Sequence, residues 1–166
     1  MEYFVLLPDK RVANPLSFTI EEAKLKSDKP SFVNIGKADK VVVVDMVITK
    51  ILFNSYFFLS DVLMKVFNMY DESLDPIPIF VVNKDYSIQL TYSRFDMEAT
   101  KGAIVNKFLK VPDMLIDETC VKGKPIHKVH YEKQTYLLVN QYVAESILRR
   151  LPVGILLEKV KTLKKQ

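Results

Sequence analysis

Residues 135–160 read TYLLVNQYVAESILRRLPVGILLEKV, and this stretch decides how the rest of the chain is read. An apolar run, Tyr136 to Val139, stops at Asn140. Asn is a favoured helix N-cap because its side-chain oxygen accepts from an otherwise unpaired N–H of the first turn. Beyond it Val143, Ala144, Ile147, Leu148 and Leu151 recur with the spacing of one helical face. Glu145, Ser146, Arg149 and Arg150 take the other face, with Glu145 four residues before Arg149, the favourable order. Pro152 cannot continue a helix, Gly154 lets the chain turn, and a second apolar run follows from Ile155 to Val160. The stretch therefore predicts strand, cap, helix, turn, strand.

The middle of the chain repeats this pattern. Tyr56-Phe57-Phe58-Leu59-Ser60 aligns with Tyr136-Leu137-Leu138-Val139-Asn140 at an offset of 80. Ser60 is a second good N-cap, and Asp61 puts negative charge at the positive end of the helix. Val62, Leu63, Val66, Phe67 and Tyr70 form its apolar stripe, and 77–82 aligns with 155–160 at an offset of 78. Two readings are open: a duplicated unit, or two capped helices between strands that look alike for general reasons.

The remaining segments read mostly as short strands. Residues 3–7 are aromatic and aliphatic and are closed by Pro8 and Asp9; 9–31 are polar, with one helical turn expected over 19–26. Val41 to Phe53 is β-branched and apolar with a break at Asp45, and Asn54-Ser55 reads as a turn. Tyr86 to Tyr92 alternates cleanly and is expected to form a hairpin with 79–82. Residues 93–106 read as irregular, 108–116 as a strand broken by Pro112, and 125–131 as a strand. The expected fold class is α+β: a single domain over 1–166, with a mainly antiparallel sheet and two principal helices packed on it.

Composition narrows the classes of function. The chain is 49% hydrophobic and 27% charged, as ordinary globular proteins are, and a chain of this length buries roughly 70% of the surface its unfolded form exposes. No apolar run reaches the roughly 20 residues of a bilayer span. The single cysteine, Cys120, rules out an internal disulfide and suits a reducing compartment, so a cytoplasmic location is expected. Charge is uneven. Residues 1–100 carry 11 Lys+Arg against 14 Asp+Glu, a net −3, whereas 101–166 carry 13 against 6, a net +7. That asymmetry fits a solvated basic face with a lysine tail, or a surface for an acidic partner or nucleic acid.

Reactive constellations are not evident. His127 and His130 are three apart in an expected strand, which puts them on opposite faces and prevents a shared metal. Cys120 has no nucleophile signature around it. Asp113, Asp117 and Glu118, like Asp71, Glu72 and Asp75, are loop carboxylates without a calcium-loop pattern. The four glycines, at 36, 102, 123 and 154, are isolated, so no phosphate-cradling loop exists. Lys159, Lys161, Lys164 and Lys165 read best as a disordered basic tail, and Arg149-Arg150 sit on a helix whose apolar stripe is committed to a core. No cofactor, metal or catalytic residue is expected.

The run Val143-Ala144-Glu145-Ser146-Ile147-Leu148-Arg149-Arg150, followed by Gly154-Ile155 and Glu158-Lys159-Val160, resembles the closing signature of a family of bacterial immunity proteins found beside polymorphic toxins. Phe58-Leu59-Ser60-Asp61, the strand from Ile79 to Asn83 and the stretch from Tyr92 to Asp96 are similar in the same way, so the likeness covers about residues 56–160. These are mostly fold-forming residues. The first 40 residues match nothing in that family. The resemblance implies a cytoplasmic protein, not an enzyme, that binds and neutralises a cognate toxin through an interface. It does not say which residues form the interface, and a homo-oligomer is compatible with it. The alternatives are a nucleic-acid-binding module using the basic C-terminal third, and an enzyme with a dispersed site.

Overall fold

The structure, a computed structural model, describes residues 1–38, 40–52, 54–106, 110–132 and 134–164. Among these described residues ten strands form two five-stranded sheets. In the first, β2 (Ser31–Asn34), β5 (Ile77–Val82), β6 (Gln89–Arg94), β4 (Asn54–Ser60) and β3 (Met46–Ile51) lie side by side in that order. In the second the order is β7 (Leu115–Asp117), β10 (Ile155–Leu163), β1 (Tyr3–Pro8), β9 (Gln134–Asn140) and β8 (Ile126–Tyr131). Two longer helices, α2 (Asp61–Tyr70) and α4 (Gln141–Leu148), follow β4 and β9; α1 (Glu22–Leu25) and α3 (Glu118–Val121) are single turns. The α+β class holds. The expectation of one sheet does not: there are two mixed sheets, antiparallel except for one parallel edge pair in each, β2 with β5 and β7 with β10. The sequence reading missed β2, which is four residues long and lies next to a polar region, and overlapped the three-residue β7 only at its start.

The two sheets are the same arrangement built twice. The unit β3-β4-α2-β5 reappears as β8-β9-α4-β10. Ser60 Oγ accepts from Leu63 N at 3.4 Å, and Asn140 Oδ1 from Val143 N at 3.1 Å, so each helix is capped as its sequence predicts. The cap residues' own N–H groups donate to Asp45 O at 2.8 Å and Pro125 O at 2.9 Å, again 80 residues apart. Leu52 and Glu132, also 80 apart, take positive φ of 54° and 53° where the hairpins reverse. The turn expected at Asn54-Ser55 therefore falls earlier, and those two residues open β4.

A tyrosine marks the centre of each sheet. Tyr92 on β6 lies opposite Ser60 and donates its hydroxyl to Val44 O at 2.6 Å. Tyr3 on β1 lies opposite Asn140 and donates to Val121 O at 2.8 Å. Both are buried, and burial pushes both phenols above the ordinary tyrosine range, with Asp45 adding to the effect on Tyr92 and Glu118 on Tyr3. Tyr92 also faces Ile79, and Tyr3 faces Val160. By ladder register β5 and β10 therefore correspond at an offset of 81, not the 78 of the sequence alignment. Similar apolar runs align equally well at several registers, and only the hydrogen-bonded partner fixes which one holds.

One core is common to both units. Leu63, Val66 and Phe67 of α2 meet Val143, Ala144 and Ile147 of α4 over Phe57, Leu59, Leu137 and Val139. Smaller cores lie beyond: Leu16, Phe18, Ile20 and Leu25 cover Phe58, Ile79 and Tyr92, and Ala103, Met114, Ile116 and Val121 cover Tyr3, Val5, Val129 and Leu138. Asp45 links the units. Its carboxylate accepts from Ser60 Oγ at 2.6 Å and from Val153 N at 2.7 Å, while its N–H donates to Val153 O at 2.9 Å. The break it makes in the run 41–53 is real: β3 starts only at Met46. Gly154, φ 75°, packs so closely on Val44 that a Cβ would collide with that side chain.

Two predictions follow from this junction. Asp45→Ala leaves two donors without their acceptor and should lower unfolding free energy by about 2 kcal/mol, measured by urea titration; a change within error would show that the link carries no stability. Gly154→Ala, strained in φ and blocked by Val44, should cost at least about 1 kcal/mol, read as a fall in melting temperature.

Candidate functional site

The sequence-derived candidates are scattered. His127 is buried on β8 and His130 is exposed on the opposite face, as their spacing required. His127 Nε2 lies 3.1 Å from both Val121 O and Lys124 O, and Nδ1 lies 2.9 Å from Thr100 Oγ1. Carbonyls only accept, so Nε2 carries the proton and Nδ1 accepts from the threonine. Burial holds this imidazole below its ordinary pKa. The ring is thus a satisfied core group, edge-on to Tyr3 at 6.2 Å. Cys120 is a free thiol in α3.

The carboxylates are structural as well. Asp117 caps α3 through Thr119 N at 2.9 Å, Asp113 lies 3.7 Å from Lys161, and Asp71 binds Ser73 in its own turn. Asp71, Asp96 and Glu98 border one cavity of about 260 Å³, with Lys124 beside them. Among the described residues no three His, Cys, Asp or Glu side chains are grouped closely enough to hold a metal ion. The basic tail is not a tail: Lys159 and Lys161 lie within β10, and Lys159 pairs with Glu2. Lys165 and residues 108–109 of the expected strand 108–116 lie outside the described residues; the later part of that segment holds a short 3₁₀ turn, Val111–Asp113, and the start of β7.

What the sequence reading missed is an outer face on the α2–α4 pair. Tyr70 Oη donates to Tyr142 O at 3.1 Å and lies 2.7 Å from Ser146 Oγ, while Arg150 reaches Ser146 O at 2.7 Å and Met69 Sδ at 3.6 Å. These contacts set the two helices side by side. Met69 is then 65% exposed, Tyr142 58%, Leu148 55% and Leu151 84%. Val62, which corresponds to Tyr142 in the repeat, is exposed too. Val62, Leu148 and Leu151 were expected in the core. Instead α4 ends at Leu148, and Leu151 sits at φ 50° beyond it, so helical periodicity no longer directs its side chain. Val62 lies about a quarter-turn from the centre of its stripe. The signal available in the sequence was an apolar stripe wider than a two-layer core can absorb.

The face also carries charge, and Asp61 and Glu145 are exposed on it as well as three cations. Lys65, Arg149 and Arg150 are exposed on it, and none pairs with a carboxylate among the described residues. Exposed Met and Tyr beside Arg is the composition of interface centres, not of average surface. No family profile matches this sequence, and no curated protein matches it either. Among the described residues no helix is long and apolar enough to cross a membrane.

His127 gives this region a testable pH signature. Its folded pKa is lowered, so as pH falls the unfolded chain takes up the proton first, near the ordinary value of about 6.5. Stability is full above that value and is lost as pH drops through it towards the lower folded pKa. The melting temperature should fall between about pH 7.5 and pH 5.5, and the fall should be smaller in His127→Gln. An identical fall in the variant would assign the effect to other groups.

Proposed function

We propose that this protein is a toxin-neutralising immunity protein, which binds its partner through the exposed face of α2 and α4 and performs no chemistry on it. The observation carrying the proposal is that face: Met69, Tyr142, Leu148 and Leu151 stand in solvent beside Arg149 and Arg150. Exposing large apolar side chains together costs solubility and is retained where a partner covers them. The run Val143–Arg150, which carries the resemblance to immunity proteins, lies on the helix that supplies half of the face. Its alternating roles make sense together: Val143, Ala144 and Ile147 hold the helix to the core, and the residues between them look outward.

The reading as a nucleic-acid module gains little from the fold. Two of its four C-terminal lysines already face carboxylates, Lys159 with Glu2 and Lys161 with Asp113. An interface of ordinary size buries about 800 Å² on each partner and depends on a few central side chains. A helix pair with four exposed apolar residues beside Arg149 and Arg150 has the form of such a centre.

The test is co-expression with the toxin encoded beside the gene. A stoichiometric complex and protected cells are expected. Tyr142→Ala and Leu151→Asp, both exposed, should leave the melting temperature within about 1 °C yet weaken the complex by roughly tenfold or more. Protection without a complex, or a complex indifferent to both changes, would remove this face from the proposal. Retarded DNA or RNA at low salt with no toxin complex would favour the nucleic-acid reading instead.

A further inference from the structure

A large cavity lies where the two units meet, and its wall contains a charge that the fold does not require. The cavity, of about 750 Å³, runs between the β3–β4 hairpin and the strands β1, β9 and β10. Leu7, Ile48, Tyr136 and Leu156 give it an apolar wall, and its volume is in the range of small-molecule sites. Glu158 projects into it from β10, on the same strand face as Leu156 and Val160. Its Oε2 is buried and has no hydrogen-bond partner among the described residues. Such an oxygen is costly to keep, and each instance calls for a reason.

The repeat supplies an internal control. Glu158 faces Val5 on β1; counting from Tyr3 and Tyr92, the matching rung in the first sheet pairs Ile77 with Arg94. The position equivalent to Glu158 is thus an isoleucine, so the architecture accepts an apolar residue there. Arg94, on the neighbouring strand of its rung, is buried with its charge paired: Asp96 Oδ1 lies at 2.7 Å and Ser27 O at 2.5 Å, although its Nε has no partner among the described residues. Among the described residues Glu158 has no ion-pair partner of that kind.

The remaining charges define the rest of a ligand. Arg11 is held by Asp9 at 2.8 Å, and Lys50 Nζ donates to the uncharged Gln134 Oε1 at 2.8 Å. Lys10 has no ion pair among the described residues, and Lys10 and Lys50 are both exposed, so they mark the open side. An unpaired carboxylate oxygen over an apolar wall, with ammonium groups at the mouth, calls for a molecule bearing both signs.

We propose that this cavity binds an α-amino zwitterion with a large apolar side chain, as a free amino acid or a short apolar peptide. Its ammonium group donates to Glu158, its carboxylate faces Lys10 and Lys50, and its side chain lies against Leu7, Tyr136 and Leu156. The site is separate from the α2–α4 face and stands whether or not that face binds a toxin.

Calorimetric titration of the full chain near pH 7 tests this, with four probes: L-phenylalanine, the dipeptide Phe-Leu, phenethylamine and 3-phenylpropionate. Saturable binding of a zwitterion is expected, with the amine weaker by roughly tenfold and the acid weaker still. The better of the two zwitterions identifies the source as a free amino acid or a peptide. Glu158→Gln should weaken binding by roughly tenfold. Glu158→Ile, which installs the residue of the equivalent rung, should abolish binding while raising the melting temperature. No heat from either zwitterion at about 10 mM, a Kd near the weak end of specific binding, would overturn the proposal. So would equal binding of the acid, or unchanged affinity in both Glu158 variants.

Discussion

β1 is hydrogen-bonded on both sides, to β10 along Tyr3–Pro8 and to β9 along Tyr3–Leu6. That placement holds the second sheet together, because β9 and β10 do not pair with each other. A strand–helix–strand unit of this kind cannot close its own sheet: the helix crosses over one strand position, and something must fill the gap. In the first unit the filler is β6, which simply follows β5 round a tight turn. In the second it is β1, from the opposite end of the chain. The duplicated architecture therefore depends on a long-range strand insertion, whose closure entropy is the largest the chain offers.

Once both gaps are filled, the two units share one core. The caps at Ser60 and Asn140 start α2 and α4 at matching heights, the tyrosines opposite them fix the ladders, and Asp45 ties the first unit's cap to the turn after α4. Each device is a polar contact with its partner supplied, all but the Asp45–Val153 bond at least partly buried, so it sets geometry while contributing modestly to stability. The two units differ where the fold is indifferent. Ile77 and Glu158 occupy one rung position, Val62 and Tyr142 one helix position. Departures of this kind separate residues kept for packing from residues free to acquire another role.

The two candidate sites follow from those differences. The α2–α4 face is exposed because the helices lie on the outside of the shared core and nothing among the described residues covers them. The cavity at Glu158 lies at the junction of the units, where two similar but non-identical surfaces meet imperfectly. Neither location could be reached by a motif search, since neither site is a run of neighbours in sequence. The helix face joins residues about 80 apart, and the cavity joins residues 7, 48, 136 and 158.

The sequence by itself determined both helices and their caps, the hairpin of β5 with β6, the separation of His127 from His130, and the offset of 80 between the units. These are local facts: a cap is a contact over three residues, and periodicity is set by backbone geometry. Tertiary structure alone decided the second sheet, the parallel edges, the ladder offset of 81 and the exposure of Val62, Leu148 and Leu151. An apolar residue records that it avoids water, but not which neighbour will cover it. Pairing is chosen by backbone hydrogen bonds that every residue can make, so the identity of a strand's partner is written in no single stretch of the chain.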